Sequence, residues 1–303
     1  MKSSVRGYIM ILISAVLFGS YGIWSKLLGD DFGIYYQGWV RSAIVLAILL
    51  PVMFITKSYK KVEKGDGKWI LVPVLFGIAT QAPLYYAFNH ASIGTATLIF
   101  YALFVITSYI VARLFLGETI TKPKIAAMIL GFIGLALVFG LSLAKFSLIA
   151  LLLAAINGIA SGGEVSTTKK STHKYSSLMV GNAVWLGILV THLPLSLLTN
   201  EKQWPIAIDQ NWAAMLAYSF AGLAAFWLVI EGFKFVDASI GSLVGLLEVI
   251  FGVLFGVLFF KEHLSPTIIV GGLLIIVAGM LPDLLNIIEH KRTKTATEPI
   301  REI

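Results

Sequence analysis

Glu248 is an acid placed in the middle of an apolar run, ten residues into a stretch of about 23 that extends from Ala238 to Phe260. In hydrocarbon an acidic side chain costs roughly 2.5 to 3.5 kcal/mol on insertion scales, so it must face a cavity or a partner. Its chemistry is either reversible binding of a proton or of an ammonium group, or a structural ion pair or neutral hydrogen bond. Arg41 lies seven residues inside another apolar run. A guanidinium stays charged and needs a partner or water. At 1.5 Å per residue its depth differs from that of Glu248 by only about 5 Å. The two are placed to pair with each other, to hold opposite ends of a zwitterion, or, for Arg41, to serve structure alone. Gln81 and Tyr85 are four residues apart with Pro83 between them, which puts them on one helix face beside a kink and suits them to line a cavity.

Tyr101, Asn157, Asn182 and Trp227 are further candidates for substrate contact; the plainer alternative is packing, or an amide that ties two helices together. Glu164 and Glu231 fall near the ends of their runs, with Lys169 and Lys234 as the obvious partners. They read as ion pairs at the inner surface or, alternatively, as an inner gate or a second proton site, Gly162 and Gly163 adding room beside Glu164. His192 reads as a hydrogen-bonded spacer rather than a proton relay, and Arg113 as an anchor that snorkels to the surface.

Other chemistries find no constellation. There is no cysteine, which removes thiolate catalysis, disulfides and Cys-based metal sites. Lys261-Glu262-His263 lacks the second histidine of a zinc hydrolase, Asp30-Asp31 lacks a repeated acidic motif for magnesium, and no Walker loop is present. Neither a cofactor nor a metal is expected, and the chain does not read as an enzyme. A channel is disfavoured because no ring of like charge or carbonyl-rich filter is visible.

These residues must be positioned by membrane helices. With 58% hydrophobic residues and 13% charged in 303, and a mean hydropathy of +0.88, the chain carries too much apolar surface for a soluble globule. Ten runs are long enough to span a bilayer: 6–27, 34–56, 69–88, 94–116, 124–142, 147–168, 177–198, 212–233, 238–260 and 266–288. Lys2 and Arg6 ahead of the first run imitate a secretion signal, but the run continues through Tyr21, Ile23, Trp24 and Leu27 and is read as a span. Gly19, Ser20 and Gly22 in it suit close helix packing. The net charge of +7 sits in short loops and the tail, so it reports topology rather than nucleic-acid binding.

A repeat organises the chain. Gly94 to Glu118 and Ala238 to Glu262 have the same length, and each acid precedes a Thr or Ser, a Pro and another apolar run. Five spans lie in 1–144 and five in 145–290, with a cytoplasmic tail over 291–303. An odd number of spans per half inverts the second relative to the first. The fold expected is therefore an all-α integral membrane protein of ten transmembrane helices in two inverted five-helix repeats, the plan of an alternating-access carrier. With the N-terminus inside, Lys57, Lys60, Lys61, Lys64, Lys68, Lys122, Lys124, Lys169, Lys170, Lys174, Lys234, Lys291, Arg292, Lys294 and Arg301 fall on the cytoplasmic side. Only Lys26, Lys145, Lys202 and Lys261 fall on the other. Both termini are expected in the cytoplasm and the protein in the cell membrane.

The inverted halves, Phe18-Gly19 in the first span, Arg41 early in the second, Leu116-Gly117-Glu118 closing the fourth and Glu248 within the ninth together resemble the EamA-like members of the drug/metabolite transporter superfamily. The resemblance covers almost the whole chain. It implies a ten-helix carrier with a central cavity, moving small organic solutes such as amino acids, often outward; the alternatives are an importer or a proton-coupled multidrug or cation carrier and, of another class, a polytopic membrane enzyme or a non-transport membrane protein. The partners implied are a small-molecule substrate, membrane lipid and protons. Two departures stand out. The family often has a proline in the middle of the fourth and ninth helices, where this chain has Val105 and Val249, and the Gly-Glu closing the ninth is Lys261-Glu262. Gly245, Gly252 and Gly256 are left to supply the bending.

Overall fold

A computed structural model describes residues 2–28, 32–90, 93–140 and 147–297. Asp30, Asp31, Lys145 and Arg301 lie outside the described residues, as do the side chains of Lys2, Lys26, Lys291, Arg292 and Lys294. Ten helical stretches are long and apolar enough to cross a membrane: Ser4–Ser25, Ile34–Ile55, Gly67–Ala87, Thr95–Phe115, Lys122–Phe139, Leu148–Thr172, Ser177–Leu198, Gln210–Phe233, Ala238–Phe260 and Pro266–Leu285. Among the described residues there is no strand. Ten spans leave both chain ends on one side, here called the terminal face.

Three of these spans are interrupted. The first is α1 (Lys2–Gly19) and α2 (Tyr21–Leu28), separated at Ser20; the second is α3 (Ile34–Ile55). The third is α4 (Gly67–Ile78) and α5 (Gln81–His90), broken at Ala79 and Thr80. Pro83 explains that break, because it has no N–H for the Ala79 carbonyl and its ring crowds that group. The fourth to eighth spans are α6 (Ile93–Phe115), α7 (Lys122–Phe139), α8 (Leu148–Thr172), α9 (Ser177–Leu198) and α10 (Gln210–Phe233). The ninth is α11 (Ala238–Gly245) and α12 (Leu247–Phe260), broken at Leu246 directly after Gly245 without a proline, while α6 runs through Val105 unbroken. The tenth, α13 (Pro266–Thr297), continues seven residues into the expected tail, where Lys, Arg and Ala favour helix.

The two halves pack as copies. The fourth span lies on the sixth and the first on the ninth; the third lies on the sixth and the first on the eighth; the second meets the seventh and the fifth meets the tenth. Glycines make the closest approaches. Gly162 presses on the Phe104 carbonyl, while a Cβ on Gly19 would sit 2.9 Å from the Glu248 carbonyl. Phe104 and Glu248 are equivalent under the separation that relates Glu118 to Glu262, so the two contacts are one contact used twice. Gly134 and Gly271 face each other where the fifth and tenth spans cross. Gly22, expected in the packing face, has open space beside it instead, because its side of α2 is turned away from the neighbouring helices.

The turns that end the fourth and ninth spans also match. The Glu118 amide donates to Ala112 O at 3.0 Å and the Glu262 amide to Gly256 O at 3.3 Å. The residue before each is left-handed, Gly117 with φ 69° and Lys261 with φ 55°. Glycine takes that conformation freely, whereas a side chain is strained in it. In the loops of the terminal face, Lys174 lies 2.7 Å from Asp66 and also pairs with Glu63. The Lys174 ammonium holds both carboxyls below their usual range. This link between the halves is therefore complete above the ordinary carboxylate range and is lost as pH falls through the depressed values.

Lys261→Gly should relieve the left-handed strain and stabilise the protein by about 1 kcal/mol, read as a higher midpoint of thermal unfolding in detergent. Gly162→Leu should cost about 1 to 3 kcal/mol or more by forcing α8 off α6; an unchanged midpoint would show that this contact is not tight.

Candidate functional site

The three helix breaks gather the polar residues. Tyr21 opens α2, Gln81 opens α5, and Glu248 lies in the first turn of α12. A carboxylate in a first turn is favoured by the free amides and the positive end of the helix dipole. Arg41, only 1% exposed, lies among them from α3. Its Nη1 donates to the Tyr85 hydroxyl at 2.5 Å and to Gln81 Oε1 at 3.2 Å, and its Nη2 donates to the Tyr21 hydroxyl at 3.1 Å. The guanidinium stacks 3.6 Å from the centre of the Tyr218 ring, a buried cation–π contact. Gly222 makes this possible, since a Cβ there would lie 2.9 Å from Nη2.

No carboxylate among the described residues lies within ion-pair distance of Arg41, and none of the described cations pairs with Glu248. The direct pair between them is thus not formed. Tyr21 is bonded to Arg41 and lies close enough to Glu248 to feel its charge, and Tyr101 of α6 lies within reach of the Glu248 carboxyl. Arg41, Gln81, Tyr85, Glu248 and Tyr101 therefore form one cluster, joined by Tyr21 and Tyr218. These two tyrosines are not apparent from residue type, which suits packing equally well. Depth is the signal that finds Tyr218: it lies eight residues into α10, and Arg41 seven into α3, from the same membrane face.

The other candidates lie elsewhere. Asn157 donates from Nδ2 to Thr80 O, satisfying a carbonyl at the α4–α5 break. Asn182 donates to Leu49 O and Leu178 O at 3.2 and 2.9 Å, tying α9 to α3. Trp227 is 42% exposed on the apolar outer face of α10 with Leu216 and Phe220, away from the cluster. Glu231 pairs with Lys234 at 2.7 Å, as its spacing suggests, and accepts from Ser177. Lys169 is not the partner of Glu164. It bonds Glu118 at 3.0 Å and Val236 O at 2.7 Å, because α8 continues to Thr172 and leaves Glu164 deeper than a helix ending at residue 168 would. His192 is held through Nδ1 by Ile188 O and Thr191, in keeping with a spacer. Arg113 is exposed near the end of α6, as an anchor would be.

At each membrane face an acid from one half caps a helix of the other. On the terminal face Glu118 accepts from the Ala238 amide at 2.6 Å and from the Ser239 amide and hydroxyl at 3.2 and 2.9 Å, opening α11. Nearby Lys124 bonds Asp237 at 2.8 Å. On the opposite face Glu201 accepts from the Tyr35 and Tyr36 amides at 3.1 and 2.6 Å, opening α3, and the Tyr36 hydroxyl donates to Trp204 O at 2.8 Å.

Known proteins resemble this arrangement. No curated protein matches the chain at a significant level. A solved protein crystal structure, 16% identical, aligns with a TM-score of 0.76 over 92% of this chain and 96% of that one; at this identity the likeness establishes the fold alone. The model of the EamA-like transporter family matches twice, over residues 5–140 and 148–281. Two matches, one per five-helix repeat, with ten membrane-spanning helices between them, place the chain in the EamA-like transporter family as a multi-pass membrane transporter.

Proposed function

We propose that this transporter is a secondary carrier that exports small zwitterionic metabolites, amino acids or related solutes, across the cell membrane by alternating access. The observation that carries this reading is a buried guanidinium and a carboxyl within the ninth span, neither with an ionic partner among the described residues, and one tyrosine close to both. An unpaired charge in hydrocarbon is costly, and a ligand that brings the opposite charge removes that cost. A substrate carboxylate complements Arg41 and a substrate ammonium complements Glu248, with Tyr21, Tyr85, Gln81 and Tyr101 supplying neutral hydrogen bonds. Helix breaks next to a central site are a recurrent feature of carriers, since they expose backbone groups to the ligand. Outward direction rests on the family's habit, and a cytoplasmic terminal face rests on its excess of lysine.

The two acid caps serve as the gates in this scheme. Each holds the two halves together at one face by a few charge-assisted hydrogen bonds, strong enough to close and weak enough to exchange. Both caps are formed in this structure, and in this scheme the protein opens at one face by breaking the cap there while the other holds.

Counterflow in proteoliposomes loaded with amino acids, amines and carboxylates tests the reading at two pH values. Wild type should show saturable exchange favouring zwitterions. Glu248→Gln should abolish or uncouple it, and Arg41→Lys should raise KM roughly 10- to 100-fold by losing the planar donor fork, from about 1.5 to 3 kcal/mol of charged hydrogen bonding. Full pH-dependent exchange by folded Glu248→Gln would refute the assignment of that residue. The absence of native cysteine allows a second test. Glu118→Gln should increase labelling of a cysteine introduced at Ser242 from the terminal side, and Glu201→Gln should decrease it; equal labelling in both variants would exclude the caps as gates.

A further inference from the structure

Glu164 is a second acid in the membrane, and the substrate cluster does not use it. It is 7% exposed, seven residues beyond the Asn157 that caps the α4–α5 break. At 1.5 Å per residue that places it about 10 Å further toward the terminal face. No hydrogen bond or ion pair to its carboxyl is found among the described residues, since Lys169 is held by Glu118 and Val236 O. The groups packed around it are apolar or small. Gly77 of α4 yields the space for its carboxyl, a Cβ there lying 3.0 Å from Oε1, and Val184 of α9 closes the same gap. Phe76 of α4 covers the adjacent Gly163, and Phe104 and Thr107 of α6 cover Gly162. From α10, Phe226 and Ile230 belong to the core that includes the adjacent Val165. Among the described residues no charged or titratable side chain of α4, α5, α6, α9, α10 or α11 forms a hydrogen bond or ion pair with it.

A carboxylate without a cation or a hydrogen-bond donor is costly in so apolar a site, whereas a carboxylic acid is not. We propose that Glu164 is a proton-binding site, separate from the Arg41–Glu248 cluster, that takes up and releases the coupling proton on the terminal side. Gly77 lets the carboxyl lie against α4, with Val184 and Phe76 packed beside it. The path favours that side, since Glu164 is eight residues from the Thr172 end of α8 and sixteen from the Leu148 end. In the register that makes Gly162 and Gly19 equivalent, the matching position in the first half is Tyr21, so the acid occurs once, and one proton per cycle is the stoichiometry it provides. This inference rests on the carrier reading for its role in coupling, but proton binding itself does not require a known substrate.

The test is a pH-stepped infrared difference spectrum of the full-length reconstituted protein, reading the carbonyl band of protonated carboxyl groups. Wild type should show a component that disappears only well above the usual carboxylate range. Glu164→Gln should lose that component, Glu164→Asp should keep it with a shifted position, and Glu248→Gln should leave it in place. Identical spectra for wild type and folded Glu164→Gln would overturn the proposal. In vesicles carrying whichever amino acid wild type exchanges, Glu164→Gln should retain counterflow but lose accumulation driven by a pH gradient, ending at equal concentrations on both sides. Undiminished gradient-driven accumulation would also overturn it. Wild type that exchanges no solute would sink the carrier reading while leaving the spectral result to decide the proton site.

Discussion

In hydrocarbon every backbone amide and carbonyl must find a partner, because water is absent and each unmet group costs several kcal/mol. This protein interrupts its helices at Ser20, at Ala79–Thr80 and at Leu246, and each interruption is answered locally. Thr80 donates to Gly77 O through both its amide and its hydroxyl, Asn157 takes Thr80 O, and Ser20 Oγ donates to Leu17 O. These repairs permit the helices to restart near the level of Arg41. The residues that follow each break, Tyr21, Gln81 and Glu248, are the ones that come together. The polar site is thus a consequence of how the backbone is satisfied, not an addition to a finished bundle.

The repeats divide scaffold from chemistry. Glycine-to-carbonyl contacts, left-handed turns and acid-closed helix ends occur twice and hold the halves in the same geometry. Chemistry appears where the copies differ. Glu248 stands where the first half has Phe104, Arg41 corresponds to Trp185 in the second half, and Tyr85 corresponds to Val229. A duplicated frame with unlike residues at equivalent depths produces one asymmetric site rather than two, which suits a ligand whose ends carry different charges.

Both faces are held by contacts of one kind. Each cap consists of an acid accepting from two helix-opening amides, with Lys169 bonded to the acid on one face and the Tyr36 hydroxyl bonded to Trp204 O on the other. Hydrogen bonds to a charged group contribute about 1.5 to 3 kcal/mol each. The two halves are thereby joined across the bundle at both membrane faces.

Much of this was legible in the amino-acid order. Span length and apolar content gave ten helices, because the bilayer sets the length of an element. The equal separation from Gly94 to Glu118 and from Ala238 to Glu262 showed the repeat, five spans per half implied its inversion, and depth singled out Glu248 and Arg41. Pro83 marked a break, since its missing N–H is a local property. Less legible was the break at Leu246, which has no proline. Partners could not be read either. Spacing suggested Lys169 for Glu164, yet Lys169 reaches Glu118 from a different span; Trp227, chosen for its type, turns to the outer face of α10. The sequence by itself determined what each residue costs in lipid and how deep it lies, because those depend on neighbours along the chain. Which unpaired group meets which was decided by the packing of helices across the two halves, because a helix's rotation about its own axis, and hence the direction of its side chains, is set by the surfaces it packs against.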